Sequence, residues 1–253
     1  MDLGLSGKVF LVTGASRGLG FATARCLVDE GAKVVVSARN ETALAEAVSA
    51  LGGQGKALAV PADNGRESTA ALLVGAARDH FGRLDGALIS VGGPPRGTAA
   101  KATDDEWRAA FESVFLGAVR LTRTVASSLD KGGAVALVLS SSARSPIPEL
   151  GISNGLRPGL MGAAKDMADE FGARGVRVVS LLPGRIMTDR NRELFAATGD
   201  PDKARRETEA QIPLGRLGSP EEFGRVAAFL LSPAASYLTG IALPIDGGMV
   251  RAL

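Results

Sequence analysis

The 253-residue sequence predicts an α/β fold: a Rossmann-type, doubly wound parallel sheet in a single domain. Three observations lead to this prediction. Short runs of β-branched residues alternate with longer helical patterns along the whole chain. The predicted strands are continuous apolar runs, which are typical of a sheet covered by helices on both faces. A glycine-rich turn, residues 13–20, separates the first strand from the first helix.

The predicted elements follow one another without a linker, so residues 1–253 are expected to form one domain. Strands are expected at 8–13, 33–37, 56–60, 84–90, 134–140, 176–182 and 241–245. Helices are expected at 18–30, 41–51, 67–81, 104–130, 156–173 and 220–231. The stretch after the sixth strand is too long for a simple connection. It predicts a substrate lid with helices of its own around residues 185–218.

Composition argues against several classes of protein. The formal net charge is +2 and no basic block stands out, so no nucleic-acid partner is expected. The single cysteine, Cys26, cannot form an intrachain disulfide, which fits a reducing compartment. The first residues lack the pattern of a signal peptide, and no apolar run reaches the roughly 18 residues that span a bilayer. A cytoplasmic protein without membrane association or a metal site is therefore expected.

The glycine-rich turn predicts a dinucleotide site. Gly14 permits the tight turn. Gly18 and Gly20 carry no side chain that would block the approach of a pyrophosphate or the close packing of the helix. Free backbone N–H groups and the helix dipole at this point favour phosphates. The alternative is a merely structural turn. Because the turn follows a predicted strand and opens a predicted helix, the dinucleotide interpretation is favoured.

The end of the second strand indicates which dinucleotide is bound. A carboxylate there would hydrogen-bond the ribose 2′-OH of NAD, but the strand ends in Ser37-Ala38-Arg39-Asn40. The guanidinium groups of Arg17 and Arg39 can together hold a 2′-phosphate, so NADP(H) is the expected cofactor. The alternative is that both are solvated surface arginines. Asp63, after the third strand, is either an adenine contact or an N-terminal residue of the next helix.

Several segments together carry a family resemblance. Residues 13–20, the Pro183-Gly184 pair and the Asp-Gly-Gly segment 246–248 resemble the short-chain dehydrogenase/reductase family, most strongly its bacterial 3-oxoacyl-acyl-carrier-protein reductase-like branch. The resemblance covers essentially the whole chain. It implies a nicotinamide cofactor, a small-molecule substrate and a homo-oligomer, either a tetramer or a dimer. The cofactor-binding residues expected from pattern and resemblance together are Gly14, Ser16, Arg17, Gly18, Leu19, Gly20, Arg39, Asp63, Pro183, Gly184 and Thr188.

The catalytic pattern that the resemblance implies is altered here. The family uses an asparagine, a serine and a Tyr-x-x-x-Lys pair, whose tyrosine gives a proton to the carbonyl. Ser140 matches the family serine, but Ser153 stands at the tyrosine position and Arg157 at the lysine position. Val114 stands at the asparagine position. The chain thus resembles an atypical member without the Tyr-x-x-x-Lys pair, and its catalytic candidates are Ser140, Ser153 and Arg157.

Other candidate residues are expected outside the site. Tyr237 is the only tyrosine and lies in a segment that resembles a structural part of the family. His80, the only histidine, is expected on the surface at the amino side of the sheet. Lys165 is expected to be an exposed helix lysine. Two proline-stiffened segments, 93–96 and 145–150, are expected to line walls of the substrate pocket, with ordinary loops as the alternative.

Pro158 predicts a break in the sixth helix, because proline disturbs a helix interior but fits a first turn. The helix is therefore expected to begin near Arg157, or to kink there. Two functions stay open. One is an NADP(H)-dependent oxidoreductase with a degenerate catalytic site, acting on a carbonyl or alcohol. The other is a non-catalytic NADP(H)-binding sensor or partner subunit.

Overall fold

The computed structural model describes residues 2–252, apart from the side chain of Arg190. Within these residues the strands are β1 (Val9–Thr13), β2 (Lys33–Ala38), β3 (Ala57–Pro61), β4 (Gly86–Ser90), β5 (Ala134–Val138), β6 (Arg177–Pro183) and β7 (Ala242–Ile245). The α-helices are α1 (Gly18–Asp29), α2 (Glu41–Ala50), α3 (Thr69–Phe81), α4 (Asp104–Ala110), α5 (Gly117–Ser128), α6 (Gly151–Gly172), α7 (Asp189–Ala196), α8 (Pro201–Glu209) and α9 (Pro220–Leu231).

The seven strands form one parallel sheet in the order β3-β2-β1-β4-β5-β6-β7. Thr13 of β1 pairs with Ser37 of β2 on one side, and Val12 pairs with Leu88 of β4 on the other. The winding reverses between β1 and β4, so their carboxyl ends flank the switch point at which such sheets bind ligands. The single-domain, doubly wound α/β fold predicted from the sequence is confirmed.

Helices cover both faces of the sheet. Phe10 and Val12 face a core built with α1, α2 and α9, whereas Val9 and Leu11 face a second core built with α3, α5 and α6. Successive residues of a strand therefore enter opposite cores, and all are buried. This is why the strands are continuous apolar runs in the sequence rather than alternating ones.

Helix α6 starts at Gly151 and continues through Pro158, so the predicted start near Arg157 is wrong. Tertiary hydrogen bonds fix the two turns that precede the proline. The Asn154 side chain bonds the backbone of Ile147 twice, at 3.0 and 2.8 Å, and the Gly151 N–H donates to a neighbouring loop. These contacts hold residues 151–157 helical, although proline removes one hydrogen bond of the helix.

The stretch predicted as one helix at 104–130 is divided in the structure. A π-helical segment, Phe111–Leu116, connects α4 to α5. Its wider turn leaves the apolar pattern nearly unchanged, so hydrophobic periodicity alone does not reveal it. Val114 lies in this segment and is buried.

The predicted lid segment leaves the sheet after β6, and its last residue returns to lie beside its first residues. The Met187 N–H donates to the Gly218 carbonyl at 2.8 Å, and the Gly218 N–H donates to the Arg185 carbonyl at 3.0 Å. Helices α7 and α8 lie between these two ends. Within residues 2–252, no helix is both long and apolar enough to span a membrane, and no cluster of three metal-ligating side chains occurs.

Candidate active site

The glycine turn between β1 and α1 depends on glycine at three positions. Gly14 and Gly18 both have φ of +61°, a conformation that side chains disfavour. A Cβ atom on Gly20 would overlap the carbonyl oxygen of Gly14, and one on Gly14 would lie 3.0 Å from the Ser90 carbonyl oxygen. Glycine at these positions therefore lets α1 begin directly against the end of β1. Its first N–H groups face the switch point.

A hydrogen-bond network locks the carboxyl ends of β1 and β4 together. The buried Thr13 hydroxyl donates to the Ser90 carbonyl at 2.8 Å and accepts from the Ser90 N–H at 2.9 Å. The Asn64 amide donates to the Ser90 carbonyl at 3.2 Å and approaches the Thr13 hydroxyl at 3.4 Å. Asn64 was not predicted as a site residue; its only sequence signal is its place beside Asp63 after a strand.

Replacing Thr13 with valine should destabilise this junction. The change leaves the partly buried Ser90 N–H without its partner, which is expected to lower the free energy of unfolding by about 1–3 kcal/mol. Urea unfolding followed by circular dichroism measures this loss. Thr198→Val is the matched control, because the Thr198 hydroxyl is exposed and bonds only within its own turn. Equal stability of the two variants would contradict the prediction.

Two cavities meet at the glycine turn. The larger cavity, about 1180 Å³, extends over β2 and β3 and is lined by Ser16, Arg17, Arg39 and Asp63 among others. The smaller cavity, about 420 Å³, extends over β5 and β6. Gly14 and Arg17 line both cavities. Together they form one cleft along the carboxyl edge of the sheet.

Arg17, Arg39 and Asp63 all line the larger cavity. Arg39 is exposed, and Arg17 forms an exposed ion pair of 3.1 Å with Glu193 of α7. The Asp63 carboxylate accepts the Gly65 N–H at 2.9 Å. Helix α3 begins at Thr69, so the alternative that Asp63 is an N-terminal residue of that helix is wrong.

All three catalytic candidates line the smaller cavity, together with Gly18, Leu19, Gly20, Pro183, Gly184 and Thr188. Ser140 lies just after the end of β5, and its hydroxyl accepts a hydrogen bond from the Ser142 N–H at 3.1 Å. The Ser142 hydroxyl lies 3.1 Å from the buried Ser153 hydroxyl. Ser142 was not predicted as a site residue. The run of three serines at 140–142 was its signal in the sequence.

Arg157 lies one helical turn after Ser153, on the same face of α6. Its side chain is buried, with 4% of its surface exposed. One guanidinium N–H donates to the Val138 carbonyl at 2.9 Å, while Nε has no hydrogen-bond partner in the described part of the chain. Burial lowers the pKa of Arg157 to about 10, so the side chain stays cationic at neutral pH.

The two segments expected as pocket walls are joined to each other. The Gly97 N–H donates to the Glu149 carbonyl at 2.9 Å, and the Gly151 N–H donates to the Gly97 carbonyl at 2.8 Å. Glu149 has φ of +61°, a left-handed conformation that is rare for residues other than glycine. Residues of both segments line the smaller cavity: Gly93, Pro94, Arg96, Ile147 and Leu150.

The remaining candidates lie outside the cleft, as expected. Tyr237 is fully exposed. His80 is exposed at the end of α3, with Nε2 lying 3.3 Å from the Gln54 carbonyl. Lys165 is exposed and forms an ion pair of 2.8 Å with Asp169.

A doubly wound parallel sheet with a glycine turn at its switch point defines a Rossmann-type dinucleotide-binding protein. A family model described as enoyl-(acyl carrier protein) reductase matches residues 14–250. The chain belongs to the short-chain dehydrogenase/reductase family. It is 36% identical to the 3-oxoacyl-acyl-carrier-protein reductase FabG of Vibrio cholerae over 249 residues, 98% of this chain and 99% of the relative. It is 34% identical to dehydrogenase/reductase SDR family member 4 of Sus scrofa, over 98% of this chain and 89% of the relative.

Two solved structures share the whole fold. The L-sorbose reductase of Gluconobacter frateurii, in complex with NADPH and L-sorbose, superimposes with a TM-score of 0.93 at 32% identity. A short-chain oxidoreductase of Pseudomonas aeruginosa PAO1, described as containing an atypical catalytic center, superimposes with a TM-score of 0.91 at 29% identity. Both comparisons cover 100% of each chain.

Proposed function

We propose that this protein is an NADP(H)-dependent oxidoreductase that acts on a carbonyl or alcohol through a degenerate catalytic site. The observation that carries the proposal is the shared lining of the smaller cavity. Ser140, Ser153 and Arg157 line the same 420 Å³ space as the glycine turn, which supports a role for them beside the cofactor. The NADPH complex of the sorbose reductase supports the choice of cofactor class.

The residues of the cleft fit a dinucleotide. A side chain on Gly14 or Gly20 would push α1 away from the end of β1, where the free N–H groups of α1 would bind a pyrophosphate. The larger cavity would take the adenine end of the dinucleotide. Pro183, Gly184 and Thr188 line the smaller cavity, so they would hold the nicotinamide end. When bound, the nicotinamide supplies or accepts the hydride.

Arg39 and Arg17 would select NADP over NAD. Both line the larger cavity, and the nearby end of β2 carries no carboxylate for a ribose 2′-OH. The Arg17–Glu193 ion pair is exposed on both sides, so it is weak enough to exchange for a phosphate. Asp63, which lines the same cavity, would contact the adenine.

Replacing Arg39 with aspartate should reverse the nucleotide preference. The substitution removes a guanidinium group that would bind the 2′-phosphate of NADP(H). The new carboxylate would repel that phosphate and accept a hydrogen bond from the ribose 2′-OH of NAD(H). We expect NADPH affinity to fall about 100-fold and NADH affinity to rise, measured by fluorescence titration. Arg123→Asp, on the exposed face of α5, is the matched control. An unchanged NADPH:NADH ratio in Arg39→Asp would refute the role of Arg39.

Ser153 is the proposed proton donor to the substrate oxygen. Its hydroxyl contacts Ser142, whose N–H in turn bonds the Ser140 hydroxyl, so the three serines are ordered relative to one another. Ser140 would bind the substrate carbonyl. A serine hydroxyl is a far weaker acid than a phenol, and general acid catalysis contributes about 10²–10⁴-fold. Slow turnover is therefore expected.

Arg157 would stabilise the negative charge that develops on the substrate oxygen. It stays protonated at neutral pH, so it cannot relay a proton, but its cationic side chain is among those that line the smaller cavity. A fixed cation in a buried site is strongly stabilising for a developing oxyanion. The two ends of the segment 185–218 are hydrogen-bonded to each other, and the segment would act as the lid over this site.

Stopped-flow oxidation of NADPH across a panel of ketones, aldehydes and imines tests the proposal. Turnover of at least one substrate, abolished in a Ser153→Ala, Arg157→Met double variant, is the expected result. Tight NADPH binding with no turnover on any substrate would overturn the enzymatic function. That outcome would favour the non-catalytic sensor or partner subunit.

A further inference from the structure

Three arginines from separate elements converge on the smaller cavity. Arg96 lies in the loop after β4, Arg157 on α6 and Arg185 directly after β6. Arg157 is buried, Arg185 is half-buried and Arg96 is exposed. The three side chains thus extend from the floor of the cavity to its rim.

These cations lack protein counterions. Among the ion pairs formed within residues 2–252, none involves any of the three arginines. Asp189 lines the cavity but is paired with Arg192 at 2.6 Å. Glu193 is paired with Arg17 at 3.1 Å. The buried Nε of Arg157 also has no hydrogen-bond partner among the described residues.

Arg185 and Arg96 repel each other, and Arg157 is a buried cation. Burial lowers the pKa of Arg185, and the positive charge of Arg96 lowers it further. Like charges that share a partly dehydrated space destabilise the protein unless an anion neutralises them. Guanidinium groups bind carboxylates and phosphates in bidentate geometry, so such an anion would find matched donors.

The 2′-phosphate of NADP(H) would not neutralise this charge. Of the two residues proposed to select that phosphate, Arg39 lines only the larger cavity over β2 and β3, and Arg17 lines both cavities. The glycine turn lies where the two cavities meet. Arg96, Arg157 and Arg185 line only the smaller cavity, where the substrate would lie.

We propose that the substrate of this site carries an anionic group, a carboxylate or a phosphate, which Arg185 and Arg96 bind above Arg157. This inference rests on the proposed function for the location of the substrate. It narrows that function to small oxo or hydroxy compounds with a negative charge. Neutral sugars and uncharged esters would leave the arginines without a counterion.

Matched pairs of probes test the proposal on protein saturated with NADP⁺. One pair is acetoacetate and its neutral ester methyl acetoacetate; the other is dihydroxyacetone phosphate and dihydroxyacetone. By titration calorimetry we expect the anion of at least one pair to bind about 10-fold more tightly than its neutral partner. The pair that shows the difference identifies carboxylate or phosphate. Raised salt should narrow the difference.

Variants assign the effect to the arginines. Arg185→Gln and Arg96→Gln should abolish the preference for the anion while NADPH affinity stays within about twofold. Arg123→Gln, an exposed arginine of α5, should leave the preference unchanged. Equal binding of anionic and neutral probes would overturn the proposal. So would variants that weaken NADPH about 10-fold and spare the anion preference, because the arginines would then serve the cofactor.

Failure of the proposed function is distinguishable from failure of this inference. Wild-type protein that does not bind NADPH contradicts the proposed function directly. The probe pairs are then titrated into cofactor-free protein. An anion preference that depends on Arg185 supports the anion site in that case, and its absence overturns it.

Discussion

Gly20→Ala will weaken NADPH affinity by about 10²-fold or more. A single added methyl group would overlap the Gly14 carbonyl oxygen, so α1 must move away from the end of β1. The N–H groups at its start then no longer face the phosphates. Fluorescence titration with NADPH measures the effect. Crowding at this buried position is also expected to lower the free energy of unfolding by about 1–3 kcal/mol.

Gly75→Ala is the matched control for this substitution. Gly75 lies in α3, where an added Cβ meets no atom within 4 Å. Alanine there should preserve NADPH affinity and raise helix stability by up to about 1 kcal/mol. Full NADPH affinity in Gly20→Ala would show that the glycine turn is not the phosphate site. The circular dichroism spectrum separates lost binding from lost folding.

Arg157→Met will remove most turnover while making the protein more stable. The lost cation should lower kcat/KM by about 10²–10³-fold if it stabilises the developing oxyanion. Methionine fills similar apolar space without a buried charge. The hydrogen bond to Val138 is lost, but we expect the free energy of unfolding to rise by about 1–2 kcal/mol at neutral pH. Thermal unfolding without ligands and steady-state kinetics measure the two effects.

The pH dependence of this penalty follows from the direction of the pKa shift. Burial lowers the pKa of Arg157 to about 10, so the folded state disfavours the protonated side chain. The destabilisation is fully present at neutral pH and is relieved only above pH 10, where the folded state binds fewer protons than the unfolded state. Arg157→Lys keeps a charge and should keep part of the turnover, without the gain in stability. A methionine variant no more stable than wild type would contradict this account.

The fold could be predicted because its signals are local and repeated. Each strand is a short apolar run, and each helix begins or ends near glycine, proline or a capping residue. The errors fall where tertiary contacts override local preference. Pro158 predicted a helix boundary, yet Asn154 and Gly151 hold two helical turns before it. The π-helical turn at Phe111–Leu116 keeps the helical pattern, so periodicity does not reveal it.

The site was predicted where motifs join a strand to a helix. The glycine turn, Ser140, Ser153 and Arg157 were identified from spacing and resemblance, and the structure places them around one cleft. Ser142 and Asn64 were missed because their importance comes from contacts between distant segments. The convergence of Arg96, Arg157 and Arg185 was likewise missed. Their separation along the chain hides a proximity that only the sheet order creates.

The hydrogen bonds between the loops at Gly97 and Glu149 have a consequence for protein engineering. The two loops hold each other in place, because each supplies backbone hydrogen-bond partners to the other. Grafting one loop from a relative would leave unmatched backbone groups at the cavity rim. Variation in substrate range should therefore arise through paired changes in both loops. A library designed to alter specificity should diversify them together.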